Sequence, residues 1–138
     1  LDVTIQGQIL ALLAELRREM GLAILFITHD LGIVAELCDR ALVMYAGQVM
    51  EQGPTQLLLS GATHPYTRGL VQSRLGAGGH PGGALPTIPG VPPDLAHLPA
   101  GCPFQPRCRH AQSICGEQMP ALRQAGELQR ACHIQPMV

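Results

Sequence analysis

Apolar and polar positions follow two distinct patterns over the first thirty residues. Between Asp2 and Gly21, apolar residues recur at helical spacing with charged residues between them, which predicts an amphipathic helix. The apolar positions are Ile5, Ile9, Leu12, Leu13, Leu16 and Met20. The run Ala23–Thr28 is instead continuously apolar and rich in branched residues, as is typical of a strand buried on both faces of a parallel sheet. Helix and buried strand together predict an α/β fold.

Further elements are expected after this strand. A second helix begins beyond His29–Asp30, and a hairpin of Ala41–Tyr45 and Gln48–Glu51 turns at Ala46–Gly47. Two more helices are predicted at PTQLLLS and HPYTRGLVQSR, each with a proline in its first turn. The order of these elements fits the back half of an α/β domain.

The next stretch is too rich in glycine and proline for regular structure. From Leu75 to Gly101, seven Gly and six Pro occupy 13 of 27 positions. A disordered linker is one interpretation. We expect an ordered but irregular strap instead, because apolar residues recur along it as possible anchors: Leu85, Ile88, Val91, Leu95 and Leu98.

Composition and charge exclude several classes of protein. The net charge is −1, with 9 Lys and Arg against 10 Asp and Glu, so a basic nucleic-acid surface is not expected. Hydrophobic residues make up 46 % of the chain, enough for a core. The apolar run Leu22–Ile27 is far too short to cross a bilayer, and no signal peptide is apparent. A soluble cytoplasmic protein is the expectation.

Four of the five cysteines cluster near the end of the chain, at positions 102, 108, 115 and 132. Their spacing matches neither the C-x₂₋₄-C pairs of structural zinc sites nor the run of bacterial ferredoxins. Metal or cluster ligation, disulfide bonds and inert buried thiols all remain possible from the residues alone. Because this tail has few large apolar residues, metal or cluster ligation is the favoured interpretation.

The first 53 residues resemble the end of an ABC-transporter ATP-binding subunit. Leu1–Asp2 is similar to the end of its D-loop, and Thr28–His29–Asp30 is similar to its switch-histidine loop. The resemblance implies that His29 contacts the γ-phosphate of ATP and that Asp2 couples two nucleotide sites across a dimer. Walker A, signature and Walker B motifs are absent from this sequence. The chain is therefore expected to be the C-terminal piece of a longer ATPase and to hydrolyse no ATP alone.

The remainder resembles the C-terminal extension of oligopeptide, dipeptide and nickel importer ATPases. The similar blocks are HPYT, IPG-x-PP, GC-x-F-x-x-RC, a further Cys and a late Cys-His, in that order. The resemblance implies an end of the ATPase domain at 1–60, a helix and connector at 61–101, and a four-cysteine domain at 102–138. It further implies a [4Fe–4S] cluster, with zinc as the alternative, held by Cys102, Cys108, Cys115 and Cys132. Arg107 is expected to offset the charge of the thiolates.

Partners and location follow from the same resemblance. It implies a second ATPase subunit, two membrane permeases and an extracytoplasmic peptide-binding protein, with ATP and Mg²⁺ bound only by the full-length subunit. It also implies a peripheral position on the inner face of the bacterial membrane. The rival hypothesis is a free-standing metal-binding or redox-sensing module, with zinc or an Fe–S cluster, derived from an ATPase remnant.

Overall fold

The computed structural model describes residues 3–76 and 87–135, with side chains from 5 to 74 and from 87 to 135. The chain divides into two compact units, residues 1–38 and residues 39–138. Asp2, predicted to couple nucleotide sites, and Leu85, predicted to anchor the connector, lie outside the described residues.

The first unit contains the two predicted helices. Helix α1 spans Val3–Met20, and Gly21 follows it with a φ of 64°, the left-handed conformation in which glycine commonly ends a helix. Helix α2 spans Leu31–Leu37. The Nη1 of Arg17 in α1 donates a hydrogen bond of 3.0 Å to the carbonyl of Leu37, one of the orphan carbonyls at the end of α2. Both helix predictions are confirmed.

The buried strand predicted at Ala23–Thr28 is wrong for this structure. Residues 22–28 form neither helix nor strand, and the side chains of Leu25 and Ile27 are 88 % and 93 % exposed. A strand exists only when neighbouring strands pair with its backbone, and a buried parallel strand needs one on each side. Among the described residues no strand pairs with this segment. The apolar run therefore forms no strand, and Leu25 and Ile27 remain exposed.

The second unit is built on a four-stranded antiparallel sheet. Its strands are β1 (Arg40–Tyr45), β2 (Gln48–Pro54), β3 (Leu122–Ala125) and β4 (Leu128–Ala131). The strand order is β1-β2-β4-β3, so β2 pairs with the predicted hairpin partner on one side and with a strand of the cysteine-rich tail on the other. Ala46 and Gly47 turn the first hairpin with φ of 48° and 77°, as a primed turn requires. The first hairpin is confirmed, whereas β3 and β4 were not predicted.

Helices and one short turn surround this sheet. They are α3 (Thr55–Gly61), α4 (Pro65–Gly76), a 3₁₀ turn (Gln105–Arg107) and α5 (Ser113–Glu117). Pro54 precedes α3 and Pro65 begins α4, as the sequence predicted. Proline suits these positions because the first amides of a helix have no partner within it.

An aromatic cluster forms the core of the second unit. The rings of Tyr45 and Phe104 meet edge to face at 5.3 Å, and Tyr66 lies 4.7 Å from Tyr45. Ile88 of the connector packs against this cluster. The other predicted anchors of the connector are wrong, because their side chains are exposed; they are Val91, Leu95 and Leu98.

Gly101 marks the closest backbone approach in the second unit. A Cβ at this position would lie 2.2 Å from the carbonyl oxygen of Cys115 and 2.7 Å from the carbonyl carbon of Gly116. The same carbonyl of Cys115 accepts the Cys102 amide at 2.8 Å. Only glycine at 101 therefore allows two cysteine-bearing segments to join through their backbones.

We expect Gly101→Ala to destabilise the second unit by about 2–4 kcal/mol, because the added carbon meets backbone atoms that cannot rotate away. The measurement is the urea midpoint followed by far-ultraviolet circular dichroism. Gly116→Ala is the matched control, since its nearest neighbour would be the Gln105 side chain at 3.9 Å. Equal midpoints for the two variants would contradict the role assigned to Gly101.

Candidate functional site

The four clustered cysteines line one small pocket in the second unit. Cys102, Cys108, Cys115 and Cys132 face it together with His64 and His133. The pocket encloses about 10 Å³, room for roughly one water-sized sphere. All four thiols are free of disulfide bonds. The structure thus brings together all four cysteines that the sequence singled out, and we call this arrangement the four-thiol pocket.

Three separate segments carry these thiols. Cys102 and Cys108 flank the 3₁₀ turn, Cys115 lies in α5, and Cys132 follows directly after β4. The backbone bond from Cys102 to Cys115 holds the first and third together. Pairing of β4 with β2 places the fourth beside the hairpin. Gaps of very different length in sequence therefore close onto one point in space.

Each thiol in the pocket accepts a hydrogen bond from a backbone amide. The Gln112 amide lies 3.5 Å from Sγ of Cys115. Backbone hydrogen bonds two residues downstream serve the other three: Phe104 for Cys102, His110 for Cys108 and Ile134 for Cys132. An amide donor favours the thiolate over the thiol, and hydrogen bonds to ligating sulfurs are a known means of tuning metal centres. This arrangement had no signal in the sequence.

Burial works against the amides. It raises the pKa of Cys102, Cys108 and Cys132, because a charged sulfur loses hydration inside the protein. The amide donors lower each of these pKa values only in part, and the nearby sulfurs raise them further. These thiols are therefore protonated near neutral pH, and a metal that binds them must displace protons.

The pocket fits a thiolate-bound group in its chemistry but is not a finished cage. Four soft sulfur donors with amide support suit zinc or an iron–sulfur cluster. Within residues 3–76 and 87–135, however, no three His, Cys, Asp or Glu side chains stand in an arrangement that could hold a metal ion as they are.

A buried polar network borders the pocket and was missed by the sequence reasoning. Glu51 of β2 is fully buried, and its Oε1 accepts the amide and hydroxyl of Thr63, both at 2.7 Å, and the His64 amide at 3.2 Å. Arg130 of β4 donates from Nη1 to the Thr63 carbonyl at 3.3 Å and from Nη2 to the Ile134 carbonyl. The only sequence signal was an acidic residue inside the apolar strand pattern QVMEQG.

His64 is held neutral at the start of α4. Its Nδ1 accepts the Tyr66 amide at 3.1 Å, and the backbone of Ala131 hydrogen-bonds the ring. Burial and then the charge of Arg130 lower the pKa of His64 from 6.5 to about 4. This position gives His64 a helix-start and packing role.

We expect the stability of the second unit to fall as the pH drops from 6.5 to about 4. The unfolded chain binds a proton on His64 near its ordinary pKa, whereas the folded chain resists it, so acid favours unfolding by roughly 3 kcal/mol across this window. His64→Gln removes this part of the pH dependence in urea titrations. The exposed His110→Gln control keeps it. An unchanged slope in His64→Gln would contradict the buried neutral histidine.

His29 lies in the first unit, on an exposed loop before α2. Its neighbours fix the loop: the Asp30 amide donates to Oγ1 of Thr28 at 3.0 Å, and Oδ1 of Asp30 accepts the Gly32 amide at 2.6 Å as the helix cap. These hydrogen bonds fix the backbone on both sides of His29, whose side chain is exposed to solvent. The geometry is compatible with contact to a ligand outside the chain.

Known proteins are similar in sequence to both units of the chain. The family described as oligopeptide/dipeptide transporter, C-terminal region, matches residues 50–115, which contain three of the four pocket cysteines. The oligopeptide transport ATP-binding protein OppD of Salmonella typhimurium is 50 % identical over 134 residues, 96 % of this chain and 39 % of that protein. The chain therefore matches the C-terminal part of oligopeptide transport ATP-binding proteins.

Two further relatives have similar sequence identity to this chain. OppD of Haemophilus influenzae is 52 % identical over 115 residues, covering 83 % of this chain and 35 % of that protein. A putative peptide import ATP-binding protein of Brucella ovis is 48 % identical over 132 residues, covering 92 % and 39 %. The chain thus spans about two fifths of the length of these transporter relatives. No described helix is long and apolar enough to cross a membrane.

Proposed function

We propose that this chain is the C-terminal part of the ATP-binding subunit of an ABC importer for di- or oligopeptides, or nickel. The observation that carries the proposal is 50 % identity to an oligopeptide transport ATP-binding protein across 96 % of the chain. That span includes both the Thr28–Asp30 loop and the four-thiol pocket. The family match alone would support the tail, whereas a match of this length supports both units.

In this proposal the nucleotide is contacted by the first unit. His29 would reach the γ-phosphate and position the attacking water, and Asp2 would couple the two sites of a subunit dimer. The capped loop supports this role for His29, because its backbone is fixed while its side chain remains available. Phosphoryl transfer depends chiefly on such positioning and on charge neutralisation.

A chimera tests the ATPase part of the proposal. This chain replaces the aligned region of the Salmonella relative, and ATP hydrolysis is measured in the reassembled transporter. We expect the chimera to hydrolyse ATP and His29→Ala to lower turnover by about 100-fold, because a phosphate contact made in the transition state is lost. The exposed His97→Ala is the matched control and keeps full turnover.

Two outcomes would contradict this role. One is a chimera that loses no turnover with His29→Ala, and the other is rapid ATP hydrolysis by this chain alone. An inactive chimera whose tail still binds metal would favour the rival hypothesis of a separate metal-binding or redox-sensing module.

The proposal gives the four-thiol pocket a [4Fe–4S] cluster, with zinc as the alternative. Cys102, Cys108, Cys115 and Cys132 would be its ligands, and the amide donors at each sulfur support a thiolate set. When bound, such a group would cross-link three chain segments and could exchange an electron. Cross-linking is the simpler role, because the tail has few large buried side chains.

Anaerobic purification tests the pocket directly. We expect a brown protein with absorbance near ~400 nm from sulfur-to-iron charge transfer. Serine at any of the four positions should lower the iron and sulfide content strongly, whereas Cys38→Ser in the other unit should leave it unchanged. A colourless protein with one zinc per chain would replace the cluster by zinc. A chain with neither metal would exclude the proposed site.

Partners and location complete the proposal. The chain would work with a second ATPase subunit, two transmembrane permeases and an extracytoplasmic peptide-binding protein. It would then lie peripherally on the inner face of the bacterial cell membrane. These assignments are supported by the relatives' names as import or transport ATP-binding proteins.

A further inference from the structure

Arg107 holds a stretch of the connector that we call the IPG segment, made of Ile88, Pro89 and Gly90. Its Nε donates to the Pro89 carbonyl at 2.8 Å, and its Nη2 donates to the carbonyls of Ile88 and Gly90 at 3.3 and 3.4 Å. Its Nη1 donates to Oη of Tyr45 at 3.1 Å. One guanidinium therefore joins three consecutive carbonyls of the connector to the first hairpin.

Two glycines allow the IPG segment to dock in this position. Gly90 has a φ of 75°, and a Cβ there would lie 3.3 Å from Cγ of Arg107. Ile88 fits over Gly69 of α4, where a Cβ would come within 2.8 Å of its Cγ1. The two glycines thus leave room for the Arg107 stem on one side and for Ile88 on the other. Two independent contacts select the same docked position.

Arg107 also belongs to the loop that carries two of the pocket thiols. Backbone bonds of 2.9 to 3.1 Å link Gln105 to Cys102, Arg107 to Phe104 and Cys108 to Gln105. The loop is short and tied at each step, so its sulfurs and its guanidinium cannot move independently. The side chain of Arg107 donates to connector carbonyls. The sequence had instead predicted that it offsets the charge of the thiolates.

We propose that Arg107 couples the four-thiol pocket to the IPG segment, so that metal bound by the thiols favours docking of the segment on the hairpin. The inference rests on the proposed metal site. Ligation fixes the loop, and the fixed loop holds the guanidinium in place to donate to the three carbonyls. Coupling of this kind is reciprocal, so docking of the segment must strengthen metal binding by the same factor.

The test follows the δ1 methyl of Ile88 by NMR in the reduced chain during titration with zinc(II). Zinc is diamagnetic and serves as the probe of the pocket. The docked methyl lies against the aromatic cluster and is displaced from its random-coil shift by the rings. Ile88→Val assigns the signal. Arg107→Lys keeps the charge but loses the planar fork, and Arg109→Lys, two positions on and exposed, is the matched control.

We expect zinc to move the Ile88 signal of the wild-type chain and of Arg109→Lys further from the random-coil shift. In Arg107→Lys the signal should move towards that shift, and zinc affinity should fall by roughly 5- to 10-fold. Unchanged signals from β2 show that this variant remains folded.

Each other result identifies which idea fails. Zinc bound equally tightly by wild type and Arg107→Lys, with no response at Ile88, overturns the coupling and leaves the metal site standing. A wild-type chain that binds neither zinc nor a cluster overturns the metal site and the coupling together. An Ile88 signal that moves towards the random-coil shift in Arg107→Lys would then identify Arg107 as a clamp that acts without metal.

Discussion

The buried carboxylate of Glu51 is the constraint on which the second unit depends. A carboxyl group removed from water needs hydrogen bonds, and the Oε1 of Glu51 accepts three from Thr63 and His64. These donors fix the start of α4 against β2. Arg130 then binds the far side of Thr63 through its carbonyl. A single acidic side chain thereby brings the hairpin, the helix and the tail strand β4 into one arrangement.

The four-thiol pocket follows from that arrangement. Arg130 reaches the Ile134 carbonyl, and the Ile134 backbone in turn supports the sulfur of Cys132. On the opposite side, the missing side chain of Gly101 allows the Cys102 amide to reach the Cys115 carbonyl. Phe104, between the first two thiols, enters the aromatic cluster with Tyr45. The packing of this loop in the core therefore also sets the positions of its sulfurs.

Local chemistry was readable from the sequence, and pairing between distant segments was not. The prolines at the starts of α3 and α4 and the Ala46–Gly47 turn depend on neighbouring residues, and the structure has them. The hairpin β3–β4 was also within reach, because its two-residue turn contains Gly126 with a φ of 65°. The strand prediction for Ala23–Thr28 was wrong because a strand requires hydrogen-bonded partner strands, and the pattern of one segment does not reveal them. The few large apolar residues of the tail favoured ligation of a metal or cluster by the four cysteines, and the resemblance supplied the ligand set, since their spacing fits no common template.

The buried guanidinium of Arg130 affects the pKa values of both His64 and Cys132. Burial lowers the pKa of His64 and the charge of Arg130 adds to this effect, which keeps that ring neutral, while at Cys132 the same charge offsets part of the burial that raises the pKa. Glu51 acts on Cys132 in the opposite sense, but its influence is smaller than that of Arg130. Any thiolate set brings negative charge into the protein, and the charge of Arg130 offsets part of it at Cys132. The pairing of a charged Arg130 with a neutral His64 therefore leaves the positive potential of this site directed at the sulfur two residues away.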